Sequence, residues 1–194
     1  ASICIALGMD SNLIFKSLGY LKPARGRMEV LSETKNKALV IIDYAHTPAA
    51  LKSALKSIQE IIGRERIITL FGCGGDRDKN KRKIMGEIAN EYSDIVIVTD
   101  DNPRNEIPSD IRSEILSGCP SATEIPNRDK AIKYAVSLLK KNDLLLIAGK
   151  GHETFQAVGI ETLPFDDYTV AKEAIKNIEK SGIINWSLYG QKKI

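Results

Sequence analysis

The sequence predicts a doubly wound α/β fold, in which a mostly parallel sheet lies between two layers of helices. The first observation is that segments such as DIVIVTD, from residue 94, and DLLLIAG, from residue 143, are continuously apolar rather than alternating. Strands of this kind are typical of parallel sheets whose two faces are both covered by helices. The second is that such segments alternate along the chain with segments of helical periodicity, the order expected of an α/β domain.

The individual elements follow in a regular order. Apolar residues at helical spacing predict a first helix over residues 3–18, followed by the Gly- and Pro-containing connector GYLKPARGR. Thr47 and Pro48 are a typical cap and first position of a helix that Gly63 ends. The other predicted strands are 28–32, 38–45, 66–72, 123–126 and 154–158, and the other predicted helices are 81–92, 109–116, 128–141 and 167–180. The residues after Gly182 are predicted to form a surface extension.

The composition is that of a globular protein with no marked preference for one kind of partner. Of the 194 residues, 43% are apolar and 27% charged, and no apolar run approaches the ~20 residues that span a membrane. The 28 basic and 25 acidic residues are spread along the chain, unlike the one-sided basic surface of a nucleic-acid binder. We therefore expect neither a membrane nor a nucleic-acid partner.

The cysteines indicate neither a disulfide framework nor a metal site. Cys4, Cys73 and Cys119 are odd in number and widely spaced, without Cys or His at metal-ligand intervals, which fits a reducing cytoplasm best. Cys73 lies among glycines and is more easily a packing residue than a nucleophile. Because no Ser/His/Asp or Cys/His arrangement is recognisable, the sequence identifies no certain catalytic residue.

Four polar loops follow apolar strands, at the edge of the sheet where open α/β folds bind their ligands. They read DYAHTP from Asp43, GCGGDRDKNKR from Gly72, DDNPRNEIP from Asp100 and GKGHE from Gly149. In the second loop, backbone N–H groups and Arg77 could attract an anion, although the loop lacks the Gly-Lys-Ser/Thr of a phosphate-binding P-loop. The alternative is a tight strand-to-helix connection, and Arg77 favours binding.

The third loop concentrates charge. Arg104 is suited to bidentate capture of a carboxylate, Asp101 and Asn102 could accept hydrogen bonds from an ammonium, and Pro103 would rigidify the turn. Together they complement the two charges of an amino acid. The alternatives are an Asx-type turn with solvated charges and a magnesium site on the acidic pair, which Arg104 makes less attractive.

The remaining two loops carry both histidines. In GKGHE, Gly149 allows close approach of the backbone to a ligand and Glu153 could pair with an ammonium, while His152 is expected to orient the loop. In DYAHTP, Asp43, Tyr44 and His46 could together meet a ribose or phosphate, or simply form a strand end that leads into a helix. No metal site is predicted.

Taken in order, GRME from Gly26 and the four loops resemble motifs of the Mur ligases. Five motifs in the right order over residues 26–153 make this resemblance specific. It implies that residues 1–27 are the end of a central ATPase domain with its linker. It also implies that residues 28–194 form a C-terminal, Rossmann-like, amino-acid-binding domain. The family's GKT phosphate loop and carbamylated lysine have no counterpart here, so that ATP and Mg²⁺ would be bound mainly by the missing central domain.

Within that family the motifs resemble those of enzymes that add meso-diaminopimelate to UDP-MurNAc-L-Ala-D-Glu during peptidoglycan synthesis. The chain alone would be inactive, and the UDP-sugar would be bound by domains outside it. By motif match, the residues that would bind diaminopimelate are Arg77, Asp101, Asn102, Pro103, Arg104, Gly149 and Glu153. Those that would hold the nucleotide are Arg27, Asp43 and His46.

Arg104 is the discriminating feature within the family, because lysine has no second carboxylate for it to pair with. The competing predictions are a lysine-adding, folate-glutamating or cyanophycin-making relative. A protein of another class, a non-catalytic module that binds an amino acid or nucleotide, also remains open.

Overall fold

The computed structural model describes residues 1–21, 24–34, 37–61 and 65–180, and the predicted surface extension after Gly182 lies outside these ranges. The helices are α1 (Ser2–Ala6), α2 (Ser11–Leu18), α3 (Pro48–Gln59), α4 (Lys81–Tyr92), α5 (Pro108–Leu116), α6 (Arg128–Ser137) and α7 (Asp167–Lys180). The strands are β1 (Glu29–Glu33), β2 (Leu39–Asp43), β3 (Ile67–Phe71), β4 (Ile95–Val98), β5 (Thr123–Glu124), β6 (Leu144–Ala148), β7 (Phe155–Val158) and β8 (Glu161–Pro164).

Six of these strands form one sheet in the order β1-β2-β6-β3-β4-β5. Only β1 is antiparallel to its neighbour in this sheet, and the other pairings are parallel. The carboxyl ends of β2, β6, β3 and β4 therefore meet at one edge, and each of the four polar loops leaves the sheet there. The predicted fold class, a doubly wound and mostly parallel sheet, is confirmed.

Helices cover both faces of the sheet, which explains why its central strands are apolar throughout. All five residues of β3 and all five of β6 are buried. On one face, α3, α4 and α5 pack against side chains such as Ile41 and Leu146. On the other, α6 and α7 pack against side chains such as Ile42 and Leu145. Successive strand residues thus point into opposite cores, each of which loses apolar surface to the helices above it.

Several predicted boundaries are corrected. The helix expected over residues 3–18 is two helices, because Gly8 adopts a left-handed φ of 79° and Asp10 then caps α2 by accepting a hydrogen bond from the Leu13 amide. Helix α3 ends at Gln59 rather than at residue 62, and residues 62–64 are outside the described ranges. Helix α6 ends at Ser137 rather than at 141. Strand β8 was not predicted, because all four of its residues are exposed and carry no apolar pattern.

The segment α1–α2 exposes much of its apolar surface. Within α2, Ile14 is the buried residue, whereas Leu13 and Phe15 are 58% and 60% exposed. Neither helix contributes a buried residue to the two cores that flank the sheet. Across the described ranges, no helix has the length and apolarity needed to cross a membrane.

Candidate functional site

The four polar loops enclose one cleft of about 600 Å³ at the carboxyl edge of the sheet. The predicted site residues that line it are His46, Arg77, Asp101, Asn102, Arg104, Gly149 and Glu153. The amino-terminal ends of α3 and α4 line it as well, through Thr47, Pro48, Asn80 and Lys81. Arg27, Asp43 and Pro103 are not among the lining residues.

The floor of the cleft carries the carboxylate of Asp101, a residue that is only 7% exposed. Among the described residues, none donates a hydrogen bond to this carboxylate. Burial raises its pKa, opposed by the nearby cations of Arg128 and Lys150. Gly149 has a left-handed φ of 110°, which favours glycine, and a Cβ there would come within 2.7 Å of one oxygen of this carboxylate. A buried acceptor without a donor at the bottom of a cleft is suited to a ligand ammonium.

Asn102 is held from three sides. Its Oδ1 accepts hydrogen bonds from the Lys150 ammonium and the Ala157 amide, both at 2.9 Å, and its Nδ2 donates to Glu153 Oε2 at 2.9 Å. Both acceptor positions of the side-chain oxygen are therefore occupied. The expectation that Asn102 accepts a bond from a ligand ammonium is wrong for this geometry, and only an N–H of its amide remains for a ligand carboxylate.

Lys150 is a site residue that the sequence did not identify. Its side chain has no exposed surface, and its ammonium contacts both Asn102 and the Glu153 carboxylate, the latter at 3.1 Å. Within GKGHE, the sequence predicts roles for Gly149, His152 and Glu153 and none for the lysine. The sequence does offer one signal. Lys150 follows the buried strand β6 after a single glycine, at a position where a charged side chain is not expected to reach solvent.

Arg104 reaches the cleft from a strained backbone. Its φ of 50° is unusual for a residue with a side chain, and two bonds to the β7–β8 hairpin hold it: its amide donates to Ala157 O and its carbonyl accepts from the Gly159 amide. Its Nη1 donates to Gly75 O at 2.9 Å. Within the described ranges, Nε and Nη2 have no partner, which leaves two donors for a carboxylate.

Beside Arg104, the loop GCGGDRDKNKR adds positive charge to the cleft. Arg77 is exposed and donates to its neighbour's carbonyl, Asp76 O, while the Lys81 ammonium, at the start of α4, donates to His46 O. Pro103 packs against this loop, because a Cβ added to Gly75 would come within 1.9 Å of the Pro103 carbonyl oxygen. Pro103 therefore contributes to loop packing rather than to the lining.

The predicted nucleotide residues lie around Tyr44, which lines the cleft. Asp43 is 8% exposed, and its two oxygens accept hydrogen bonds from the backbone amides of Met28 and Ala45 at 2.7 and 2.8 Å. The Arg27 guanidinium lies 4.7 Å from the centre of the Tyr44 ring. His46 Nδ1 is 2.9 Å from Tyr44 O. In this geometry Asp43 fastens the GRM segment, residues 26–28, to the end of β2. Within the described part of the chain, the Arg27 guanidinium and His46 Nε2 have no hydrogen-bond partner.

No three His, Cys, Asp or Glu side chains in the described part of the chain cluster closely enough to hold a metal ion. Cys73 is buried beside Met85, and burial raises the pKa of its thiol to about 12. This agrees with the packing role expected for it, since a thiol so reluctant to ionise is a poor nucleophile.

The fold and the loops belong to one recognisable class of protein. The family model "Mur ligase, glutamate ligase domain" matches residues 26–151, which include the GRM segment, the first three polar loops and the first three residues of GKGHE. The chain belongs to this family.

Among curated proteins, the chain is most usefully compared with ligases of one name. The chain is 49% identical over 183 residues to UDP-N-acetylmuramoyl-L-alanyl-D-glutamate--2,6-diaminopimelate ligase from Agrobacterium fabrum, covering 94% of this chain and 37% of that protein. It is 49% identical over 170 residues to the protein of that name from Rickettsia felis, covering 86% of this chain and 31% of that protein. The chain thus spans about a third of the length of these curated relatives.

Solved structures of Mur ligases superpose on this chain. A structure described as UDP-N-acetylmuramoyl-L-alanyl-D-glutamate--2,6-diaminopimelate ligase superposes with a TM-score of 0.75 at 34% identity, covering 91% of this chain and 37% of that one. UDP-N-acetylmuramate-alanine ligase from Thermotoga maritima superposes with a TM-score of 0.66 at 18% identity, covering 93% of this chain and 36% of that one, and shares the fold.

Proposed function

We propose that this chain is the amino-acid-selecting part of an ATP-dependent ligase that adds meso-diaminopimelate to UDP-MurNAc-L-Ala-D-Glu. The observation that carries the proposal is that one cleft combines a buried carboxylate, Asp101, with the partly free guanidinium of Arg104. An amino-acid head group has the complementary ammonium and carboxylate, so both of its charges would be paired. We call Asp101, Asn102, Arg104, Gly149 and Glu153 the head-group site.

The choice of diaminopimelate over lysine rests on Arg104. The far end of diaminopimelate has both an ammonium and a carboxylate, whereas lysine has the ammonium alone. Bound lysine would leave the Nε and Nη2 donors of a half-buried guanidinium without an acceptor, at a cost of about 1–3 kcal/mol or more. The relatives at 49% identity carry the name of the diaminopimelate ligase, in support of this choice.

The rest of the reaction is proposed to take place on the remainder of a longer protein. The sequence contains no Gly-Lys-Ser/Thr loop, so ATP phosphates and Mg²⁺ are assigned mainly to a central ATPase domain, and the UDP-sugar to a further one. Residues 1–27 are proposed as the end of that ATPase domain with its linker, and 28–194 as the amino-acid-binding domain. The exposed apolar side chains of α1–α2 support this division. Arg27 and His46 would face the nucleotide across the junction.

Calorimetric titration of the full-length protein with meso-diaminopimelate and lysine in parallel tests the proposal. We expect saturable binding of diaminopimelate and at least about tenfold weaker binding of lysine, the ratio that 1.4 kcal/mol corresponds to. Equal affinities would contradict the assigned specificity, and binding of neither amino acid would contradict the head-group site itself.

A second measurement tests the division of labour. This chain alone is expected to release no ADP from ATP in the presence of UDP-MurNAc-L-Ala-D-Glu and diaminopimelate, because the γ-phosphate site is assigned elsewhere. ADP release that depends on the UDP-sugar dipeptide would contradict the proposal that the chain is only the selecting part.

A further inference from the structure

Lys150 is a buried cation whose hydrogen-bonding partners both belong to the head-group site. Its ammonium is fully buried, donates to Asn102 Oδ1 at 2.9 Å and to Glu153 Oε2 at 3.1 Å, and lies 5.7 Å from the centre of the Phe155 ring. A buried charge is tolerated only when it is paired and hydrogen-bonded. Here both hydrogen-bonding partners are members of the head-group site, while Lys150 itself does not line the cleft.

The second observation concerns orientation. Lys150 and the Ala157 amide both donate to Asn102 Oδ1, which fixes the Asn102 amide with its Nδ2 toward Glu153. Lys150 therefore holds Glu153 twice, directly through the ion pair and indirectly through Asn102. Without the ammonium, the described residues would leave the Asn102 oxygen only the hydrogen bond from Ala157, and the Glu153 carboxylate only the one from Asn102.

The third observation is the charge balance. Beneath the site, the buried pair of Arg128 and Asp167 is neutral as a unit. Above it, the carboxylates of Asp101 and Glu153 converge on the cleft, and the Lys150 ammonium cancels one of them. Without the Lys150 ammonium, the Glu153 carboxylate would lose its ion-pair partner and would repel the carboxylate of Asp101.

We propose that Lys150 is the positioning residue of the head-group site, which fixes Glu153 and Asn102 and leaves Asp101 as the carboxylate without an ion-pair partner among the described residues, ready for a single ligand ammonium. The inference rests on the proposed function, since it names the residue that prepares the acidic side of that site for the ammonium of the head group. It predicts that Lys150 acts on amino-acid affinity through Glu153 and not on the nucleotide.

The test uses the full-length enzyme and the variants Lys150→Met, Lys150→Gln and Lys150→Arg. Met keeps the length of the side chain without charge, Gln keeps a hydrogen-bond donor without charge, and Arg keeps the charge. We expect Met and Gln to raise the KM for diaminopimelate by roughly 10- to 100-fold, the range for loss of a charged hydrogen bond. The KM for ATP is expected to stay within about twofold, and Arg is expected to recover part of the loss.

A double-mutant cycle with Glu153→Gln separates positioning from general stability. If Lys150 acts through Glu153, adding Lys150→Met to Glu153→Gln should raise the KM for diaminopimelate little further. The matched control is Lys133→Met, which removes an exposed ion pair with Asp129 and should leave both KM values unchanged.

Additive effects in the cycle, an unchanged KM for diaminopimelate in the uncharged variants, or equal increases in both KM values would each overturn the inference. If Lys150→Met does not fold, the comparison of Gln with Arg decides by the same criteria. Failure of the proposed function would look different, because the unsubstituted enzyme itself would then show no saturation by diaminopimelate.

Discussion

The guanidinium of Arg82 donates two hydrogen bonds, at 2.9 and 3.0 Å, to the carboxylate of Glu106. The Arg82 side chain has no exposed surface, and that of Glu106 is 16% exposed. Glu106 also accepts a hydrogen bond of 2.6 Å from the Asp76 amide. One carboxylate thus joins helix α4 to both loops that carry the proposed carboxylate-binding arginines, Arg77 and Arg104, and fixes their spacing.

This pair makes stability depend on acid. The hydrogen bonds from Arg82, with those from the Asp76 amide and Lys79, lower the pKa of Glu106 from 4.5 to about 2. A carboxyl whose pKa is lower in the folded state contributes stability that is fully present above pH 4.5 and is lost as pH falls toward 2. Glu106→Gln should therefore lower the Tm at pH 7, and the difference from the unsubstituted protein should shrink between those two values.

Thermal unfolding at a series of pH values measures this difference. The control is Glu87→Gln, which removes an exposed pair with Lys83 whose atoms are 3.8 Å apart and should change stability by at most about 0.5 kcal/mol. A Glu106→Gln deficit that stayed constant from pH 7 to below the folded pKa would show that the ionised form is not what stabilises the loops.

The fold could be predicted from the sequence because its signals are local. The continuous apolar character of β3 and β6 and the helical period of α4 and α7 each lie within a few turns of chain, and the bounds of α4 and α7 were predicted to the residue. Strand β8 was missed because an exposed hairpin has no apolar face to reveal it.

The sequence predicted most of the residues that line the site but not the hydrogen bonds between them. Most of the predicted substrate residues do meet in one cleft, because parallel strands bring their carboxyl ends together. Which atom serves a ligand depends on partners far along the chain: Asn102 is engaged by residues 48 and 51 positions away, and Arg82 by one 24 positions away. Pattern and spacing do not encode such pairings, and Lys150 and Arg82 were therefore missed.

Replacement of Arg104 tests the choice of substrate. In the full-length enzyme, Arg104→Ala should raise the KM for diaminopimelate by roughly 10- to 100-fold and leave the KM for ATP nearly unchanged, because it removes the carboxylate fork alone. Arg104→Lys keeps the charge but not the fork, and should recover only part of the loss. Steady-state kinetics with each substrate varied in turn measures both constants. Equal increases in the two KM values would count against the assigned role.

The carboxylate of Asp101 is expected to lower the stability of the fold while it binds the ligand ammonium. Its carboxylate is buried without a hydrogen-bond donor among the described residues, and burial raises its pKa, so the ionised form destabilises the fold at any pH above that value. Asp101→Asn has the same shape without the charge. We expect a Tm higher by roughly 2–4 °C at pH 7, as about 1 kcal/mol gives in a domain of this size, together with loss of diaminopimelate binding.

Scanning calorimetry and titration on one preparation check both halves of that prediction. The advantage in Tm should disappear in acid, where Asp101 of the unsubstituted protein is protonated. Asp110→Asn is the matched control, since Asp110 is exposed in the first turn of α5 and its replacement should change stability by only a few tenths of a kcal/mol. A lower Tm for Asp101→Asn would mean that Arg128 and Lys150 need that charge more than burial opposes it.

Two glycines with nearly the same backbone conformation separate strain from contact. Gly151 and Gly159 have φ values of 54° and 56°, so alanine at either position pays the left-handed penalty of about 1 kcal/mol. At Gly159 nothing lies within 4 Å of an added Cβ, whereas at Gly151 it would meet Tyr44 Cβ at 2.7 Å and Gly26 O at 2.8 Å.

Urea unfolding should therefore show Gly159→Ala destabilised by about 1 kcal/mol and Gly151→Ala by about 1–3 kcal/mol more, the usual cost of forced overpacking. The contact at Gly151 joins the GKGHE loop to the GRM segment, which is the proposed junction with the preceding domain. Gly151→Ala should therefore also weaken diaminopimelate binding in the full-length protein. Similar losses of stability in the two variants would show that the GRM segment yields to the added methyl group and does not hold the loop in place.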